Sequence, residues 1–178
     1  MSSTASGEFP AERCIDGREG GSRSGSMCHT GGEKAPWLAL DFGAQVLVER
    51  IVINNRDDCC GDRLRNVEVR VADQLPDSGQ EMFKGGRPLA TFKGPAKNRE
   101  VVSLTSNAEF GGRFLIVQIN NSPGTGNLNL NEVTVWGKHI GIVNQQISSS
   151  RYAQTNNCFL EDIWIREGFV TTRFLQIM

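Results

Sequence analysis

The chain has 178 residues, with 19 basic and 20 acidic side chains and a formal net charge of −1. That balance argues against nucleic acid or an anionic membrane surface as its main partner, and no stretch approaches the roughly 20 apolar residues of a membrane span. The length predicts one main domain that buries about two-thirds of its unfolded surface, and twenty glycines against a single tyrosine fit a turn-rich β domain.

Residues 2–36 are rich in Ser, Gly and charge and read as loops. The start, Met1-Ser2-Ser3-Thr4-Ala5-Ser6-Gly7, has no apolar signal core and, taken literally, predicts a non-secreted chain. Trp37–Phe42 alternates after Pro36 and reads as a strand that Gly43 ends. Its Asp41-Phe42-Gly43 is no kinase metal motif, because no glycine-rich loop, catalytic loop or strand lysine accompanies it. Strands are expected at 46–54 and 66–72, then a long polar loop over 73–88, then short strands at 89–93 and 99–104. The run Arg113-Phe114-Leu115-Ile116-Val117-Gln118-Ile119 fits a strand buried on both faces. Asn120-Asn121-Ser122-Pro123-Gly124 is a turn, and Leu130–Gly137 closes the domain. About eight short strands between turn signals mean an all-β sandwich, best a jelly roll.

Residues 1–137 form that domain, and residues 138–178 are an unassigned C-terminal extension. In it Phe159, Leu160, Ile163 and Trp164 sit at helical spacing, while Phe169–Phe174 looks strand-like. Tyr152, Phe159 and Trp164 read as packing residues.

Between the strands at 46–54 and 66–72 lies the densest chemistry. Arg56 to Arg63 packs two arginines, three aspartates and two adjacent cysteines into eight residues. Two planar guanidinium forks, steadied by aspartates, make a donor-rich site for a small ligand rich in acceptors. Read as an ordinary surface, the same residues are a solvated salt-bridge network of little worth to stability. The adjacent Cys59 and Cys60 read chemically as two free thiols, since a bond between neighbours closes a strained eight-membered ring. Upstream, His29 offers an imidazole nitrogen that can donate to or accept from a hydroxyl, and such binding should weaken as the ring protonates near pH 6. The five cysteines, Cys14, Cys28, Cys59, Cys60 and Cys158, have no zinc spacing. Disulfides and an oxidising compartment are therefore the better reading, against the literal N-terminus.

The pattern His29, Arg56, Asp58, Arg63 is H-x26-R-x-D-x4-R with Cys59-Cys60 between the arginines. It resembles the F-type lectins, fucose-binding proteins built on a discoidin-like β-sandwich related to coagulation-factor C domains. The resemblance covers roughly residues 2–137. It implies an extracellular lectin that binds terminal α-L-fucose on glycans and does no chemistry on it. It implies that His29, Arg56 and Arg63 hold the polar edges of the sugar. Asp58 would orient the arginines, and a vicinal Cys59–Cys60 disulfide would pack on the apolar edge. It also implies a structural Ca2+ held by the backbone oxygens of Arg13, Arg18 and Asn131 with Asp16, Ser26 and Glu132. One such site is weak, so an oligomer or several domains would supply avidity.

The chain departs from that pattern at several positions. Asn131 stands where the family carries a cysteine, and Met27 stands at its partner position, which leaves Cys14–Cys28 as a substitute staple. A second family disulfide across the 80–110 region has no cysteines here. The early loop is short and glycine-rich and carries no obvious aromatic wall. Family members also carry another strand before residue 2, so the expectation is that the true N-terminus precedes Met1. A discoidin-like adhesion module for a protein, a lipid headgroup or another glycan is the alternative. An enzyme is disfavoured, because no carboxylate pair across a cleft and no nucleophile–base pair is evident.

Overall fold

The computed structural model of the chain describes residues 1–20, 27–75, 85–120, 124–140, 164–166 and 169–171. The strands are β1 (Cys28–His29), β2 (Trp37–Asn55), β3 (Val67–Ala72), β4 (Arg87–Phe92), β5 (Val101–Thr105), β6 (Gly112–Ile119), β7 (Asn129–His139), β8 (Trp164–Arg166) and β9 (Phe169–Thr171). Short 3-10 helices span Ala11–Ile15 and Gly61–Arg63.

The two strands expected at 37–42 and 46–54 are one strand of 19 residues. Its first half pairs with β6, from Trp37 opposite Gln118 to Asp41 opposite Phe114. Its second half lies between β7 and β5. β2 therefore passes from one layer of the sandwich (β2–β6–β3–β4) to the other (β1–β7–β2–β5). The crossing coincides with a register shift between Asp41 and Val46, where Gly43 takes φ +69°, a region open chiefly to glycine.

Alternation along β2 sends Leu38, Leu40 and Phe42, then Val46 and Val48, into the core. Unbroken alternation would then send Ile51 outward. A bulge between Val48 and Arg50 breaks it, leaving Glu49 and Arg50 exposed and Ile51 and Ile53 buried. Val67, Val69 and Val71 of β3, Leu115, Val117 and Ile119 of β6, and Leu130 and Val133 of β7 complete the shared core. The other face of β6 also packs. Phe114 and Ile116 meet Ala39 and Ala72 beneath Trp37 and Leu75, which accounts for the unbroken apolar run.

The early segment is tied down more than a loop reading implies. Ser2 N–H donates to Trp37 O, Ala5 N–H to His29 O, and His29 N–H to Phe9 O. Cys14 and Cys28 form a disulfide, both fully buried, so the substitute staple exists. The sandwich runs on past Gly137, since β7 continues to His139 and Ile140 N–H donates to Gln45 O. In the extension, Trp164 lies in a strand, not in a helix. β8 and β9 pair antiparallel with Ile165 opposite Val170. Trp, Ile, Val and Thr favour that state and outweigh an apolar spacing that can be read either way. Phe159, Leu160, Ile163, Tyr152 and Cys158 lie outside the described residues.

Candidate functional site

The arginine loop is shaped from below by a residue that sequence reading passed over. Asn55 ends β2 and is 2% exposed. Its Nδ2 donates to Gly61 O and to Lys97 O, each at 2.9 Å. Gly61 N–H donates to Asn98 Oδ1 at 2.8 Å, and Arg99 N–H donates to Arg56 O at 3.0 Å. The segment 97–100 thus clamps the loop 56–61 at both ends. The approach leaves no room for a side chain, because a Cβ on Gly61 would lie 2.5 Å from Asn98 N and 2.6 Å from the Lys97 carbonyl carbon. Beyond Gly61 the chain makes one 3-10 turn to Arg63, and the buried Leu64 anchors it.

Within the loop, Asp58 holds Arg56 by two hydrogen bonds, Nε to Oδ1 at 2.5 Å and Nη2 to Oδ2 at 3.1 Å. Asp58 Oδ1 also accepts from Cys59 N–H at 2.9 Å. The Arg56 hydrogen bond, above all, holds the Asp58 carboxyl down to about 2, and the same bond raises Arg56. The fork of Arg56 is therefore fixed and its charge permanent over any physiological pH. Both side chains keep some exposure, 13% and 20%, so the pair is set at the surface rather than in the core.

His29 comes from the other side, on the two-residue strand β1, opposite Asn129 of β7. Its Nδ1 lies 2.5 Å from Thr30 O, and its Nε2 lies 3.5 Å from Arg63 Nη1. A carbonyl can only accept, so Nδ1 carries the proton and Nε2 presents its lone pair toward the guanidinium. Desolvation is the main force lowering the pKa of His29. The charges of Arg56 and Arg63 lower it further, and the Thr30 bond opposes them. The ring thus stays neutral to a lower pH than an ordinary imidazole does. Thr30 O also accepts from Asn127 Nδ2 at 3.2 Å, which steadies the carbonyl that orients the ring. Phe9 stands beside His29 with ring centroids 5.8 Å apart, an aromatic neighbour that sequence reading did not find.

The structure accordingly brings His29, Arg56, Arg63 and Asp58 together across a gap of many residues. Cys59 and Cys60 lie in the same loop with sulfurs 2.7 Å apart, unbonded, longer than the about 2.05 Å of a disulfide. Cys60 takes the left-handed conformation, φ 59° and ψ 26°.

The residues expected around a calcium ion converge in part. Gly17 N–H donates to both carboxylate oxygens of Glu132, each at 3.2 Å, and Glu132 is 1% exposed. Asp16, one residue before, has its Oδ1 bonded by Arg18 N–H at 3.0 Å. Asn131 is buried next to Glu132, and a Cβ on Gly20 would sit 3.7 Å from its Nδ2 and 3.6 Å from Asp57 Oδ2. The early loop thus touches both β7 and the arginine loop. Arg13 lies in the first 3-10 helix. Ser26 lies outside the described residues. Among the described residues no three His, Cys, Asp or Glu side chains converge, so a cation here would draw most of its ligands from carbonyl oxygens. No helix among them is long and apolar enough to cross a membrane.

The signals for Asn55, Gly61 and Asn98 were weak in sequence. Asn-Asn before a charged loop and a Cys-Gly pair are commonplace, and Asn98 lies over thirty residues further on. Only packing reveals that they clamp one loop.

The F5/F8 type C family model described as a NedA-like, galactose-binding domain matches residues 13–121. The chain is 28% identical over 126 residues to the fucolectin of Anguilla anguilla, covering 70% of this chain and 75% of that protein. It is 31% identical over 110 residues to the pentraxin fusion protein of Xenopus laevis, covering 61% of this chain and 25% of that one. Among solved structures, an f-lectin (fucolectin) from the serum of Morone saxatilis superposes with a TM-score of 0.68 at 25% identity. That match covers 77% of this chain and 45% of the bass protein. A fucose binding module from Streptococcus pneumoniae superposes with a TM-score of 0.59 at 27% identity, over 75% and 86% of the two chains. The chain therefore spans less than half of the striped-bass protein and a quarter of the pentraxin fusion protein.

Proposed function

The chain belongs to the NedA-like, galactose-binding domain family and has the discoidin-like build of an F-type lectin, and from this we propose that it binds terminal α-L-fucose on extracellular glycans. The observation that carries the reading is the meeting of His29 Nε2 and Arg63 Nη1 at 3.5 Å, beside an Arg56 held by Asp58. The fucolectin name of the eel and bass relatives and the fucose-binding title of the pneumococcal module support the choice of sugar.

In this reading the arginine forks donate to adjacent ring hydroxyls and the ring oxygen, and neutral His29 accepts from a hydroxyl. The Cys59–Cys60 pair, closed as a vicinal disulfide, offers the flat apolar ridge for the carbon face of the sugar. No bond of the sugar is broken. Asp58, with a carboxyl held at about 2, is ionised and bound to Arg56, which suits it to orient and not to transfer protons. Affinity for one site is on the order of 10⁻⁴–10⁻³ M, because few groups are desolvated well. Avidity comes from several sites on an oligomer or a longer chain.

Calcium fits the neighbouring residues. Asp16 and Glu132 are hard carboxylate donors, and Gly17, the residue after Asp16, bonds to Glu132. The backbone oxygens of Arg13, Arg18 and Asn131, with Ser26, would complete the set. The ion would bind the early loop to β7 and take no part in contacting sugar.

The test is a titration with L-fucose and with D-galactose, followed by NMR or calorimetry, on the wild type and on Arg63→Ala. Binding of fucose that Arg63→Ala weakens at least about tenfold supports the reading. A wild type that ignores fucose refutes it, and preference for galactose moves the specificity to the sugar in the family's description.

A further inference from the structure

Two cysteine pairs in this molecule sit in opposite surroundings. Cys14–Cys28 is closed and both residues are 0% exposed. Cys59 and Cys60 are partly exposed, unbonded and 2.7 Å apart. A small thiol or disulfide in solution reaches the second pair and not the first. The shape of the Cys59–Cys60 loop does not depend on a bond between its sulfurs. Asn55, Gly61 and Asn98 hold its ends by hydrogen bonds, and Asp58 holds Arg56 within it. Opening or closing the bond therefore changes the surface offered to a ligand while the fold and the arginine pose persist.

We propose that Cys59 and Cys60 form a thiol–disulfide exchange site whose closed state binds sugar more tightly than its open state. The proposal rests on the fucose reading above and adds reversibility to it. The co-reactant is a small disulfide of the glutathione class. One cysteine thiolate attacks it, expels one small thiol and leaves a mixed disulfide. The neighbouring sulfur then displaces the second small thiol and forms the Cys59–Cys60 bond. The protein pair loses two electrons and two protons, and the small disulfide becomes two thiols.

One feature favours reversibility over a permanent bond. A ring closed between adjacent cysteines is strained, and strained, exposed disulfides are the labile ones. The open state exposes two separate polarisable thiols in place of one flat ridge. Losing that packing surface should weaken fucose binding about tenfold.

The experiment equilibrates the full chain in graded mixtures of oxidised and reduced glutathione. Each sample is divided between thiol alkylation with peptide mass mapping and a fucose titration. The expected result is that the Cys59–Cys60 peptide passes from doubly alkylated to unmodified while affinity rises about tenfold with the same midpoint. Cys14–Cys28 should stay closed throughout, and a Cys59→Ser, Cys60→Ser variant should bind weakly at every ratio. Fucose binding that is the same in both states overturns the proposal and leaves the sugar site standing. So does a pair that never oxidises. Absence of fucose binding in every mixture overturns both.

Discussion

Replacing Gly61 by alanine separates the clamp from the groups that it positions. The new Cβ would lie 2.5 Å from Asn98 N, 2.6 Å from the Lys97 carbonyl carbon and 2.7 Å from Asn98 Oδ1. Two of these atoms are backbone, so neither can swing aside, and segments 56–61 and 97–100 must part. Overpacking of this kind costs about 1–3 kcal/mol. The bonds from Gly61 N–H to Asn98 and from Asn55 to Gly61 O lengthen with it, at about 1 kcal/mol each. The expected loss is about 3–5 kcal/mol of stability in urea unfolding. Because Arg63 is two residues on and Arg56 five residues before, fucose affinity should fall as well, by about tenfold or more. Gly7→Ala is the control, since nothing lies within 4 Å of its added Cβ, and it should stay within about 0.5 kcal/mol. If Gly61→Ala unfolds at the wild-type urea concentration and binds fucose as the wild type does, the clamp does not position the site.

The lowered pKa of His29 sets a pH dependence. Unfolded histidine titrates near 6.5, so the contribution of the neutral ring to stability is whole above that pH and is lost as pH falls toward the lower folded value. Fucose affinity should be flat from pH 8 to about 6.5 and decline only below, and His29→Gln should abolish the decline. Asp58→Asn removes the charge that fixes Arg56. It should cost no more than about 1 kcal/mol of stability, because the pair is at the surface, yet weaken fucose binding about tenfold by calorimetry. An unchanged affinity would show that Arg56 needs no orienting partner. Chelation of calcium with EGTA should lower the melting temperature by several degrees and leave the Glu132→Gln variant unmoved. Equal responses of the two would remove calcium from the Asp16–Glu132 site.

The stretches that sequence reading placed well were those whose pattern repeats locally. Alternation in β3 and the apolar run of β6 follow from side-chain period and burial alone, and both strands lie within a residue or so of expectation. The division of β2 into two strands was a local error, because a glycine and a polar stretch end a strand by pattern. A strand crossing between layers survives them when new partners take over its hydrogen bonds. Trp164 was misjudged for the same reason, since a short apolar spacing does not distinguish helix from strand.

The sequence by itself determined the sandwich and the inventory of the site. The identities and offsets of His29, Arg56, Asp58 and Arg63 are properties of the chain, and turn signals with alternating residues leave few all-β alternatives. Only the tertiary structure decided which nitrogen of His29 faces Arg63, that Asp58 takes both branches of Arg56, and that Asn55 and Asn98 hold the loop at Gly61. The His29–Arg63 and Gly61–Asn98 contacts join residues tens of positions apart. They are set by how two layers pack, and no local preference of either partner encodes them.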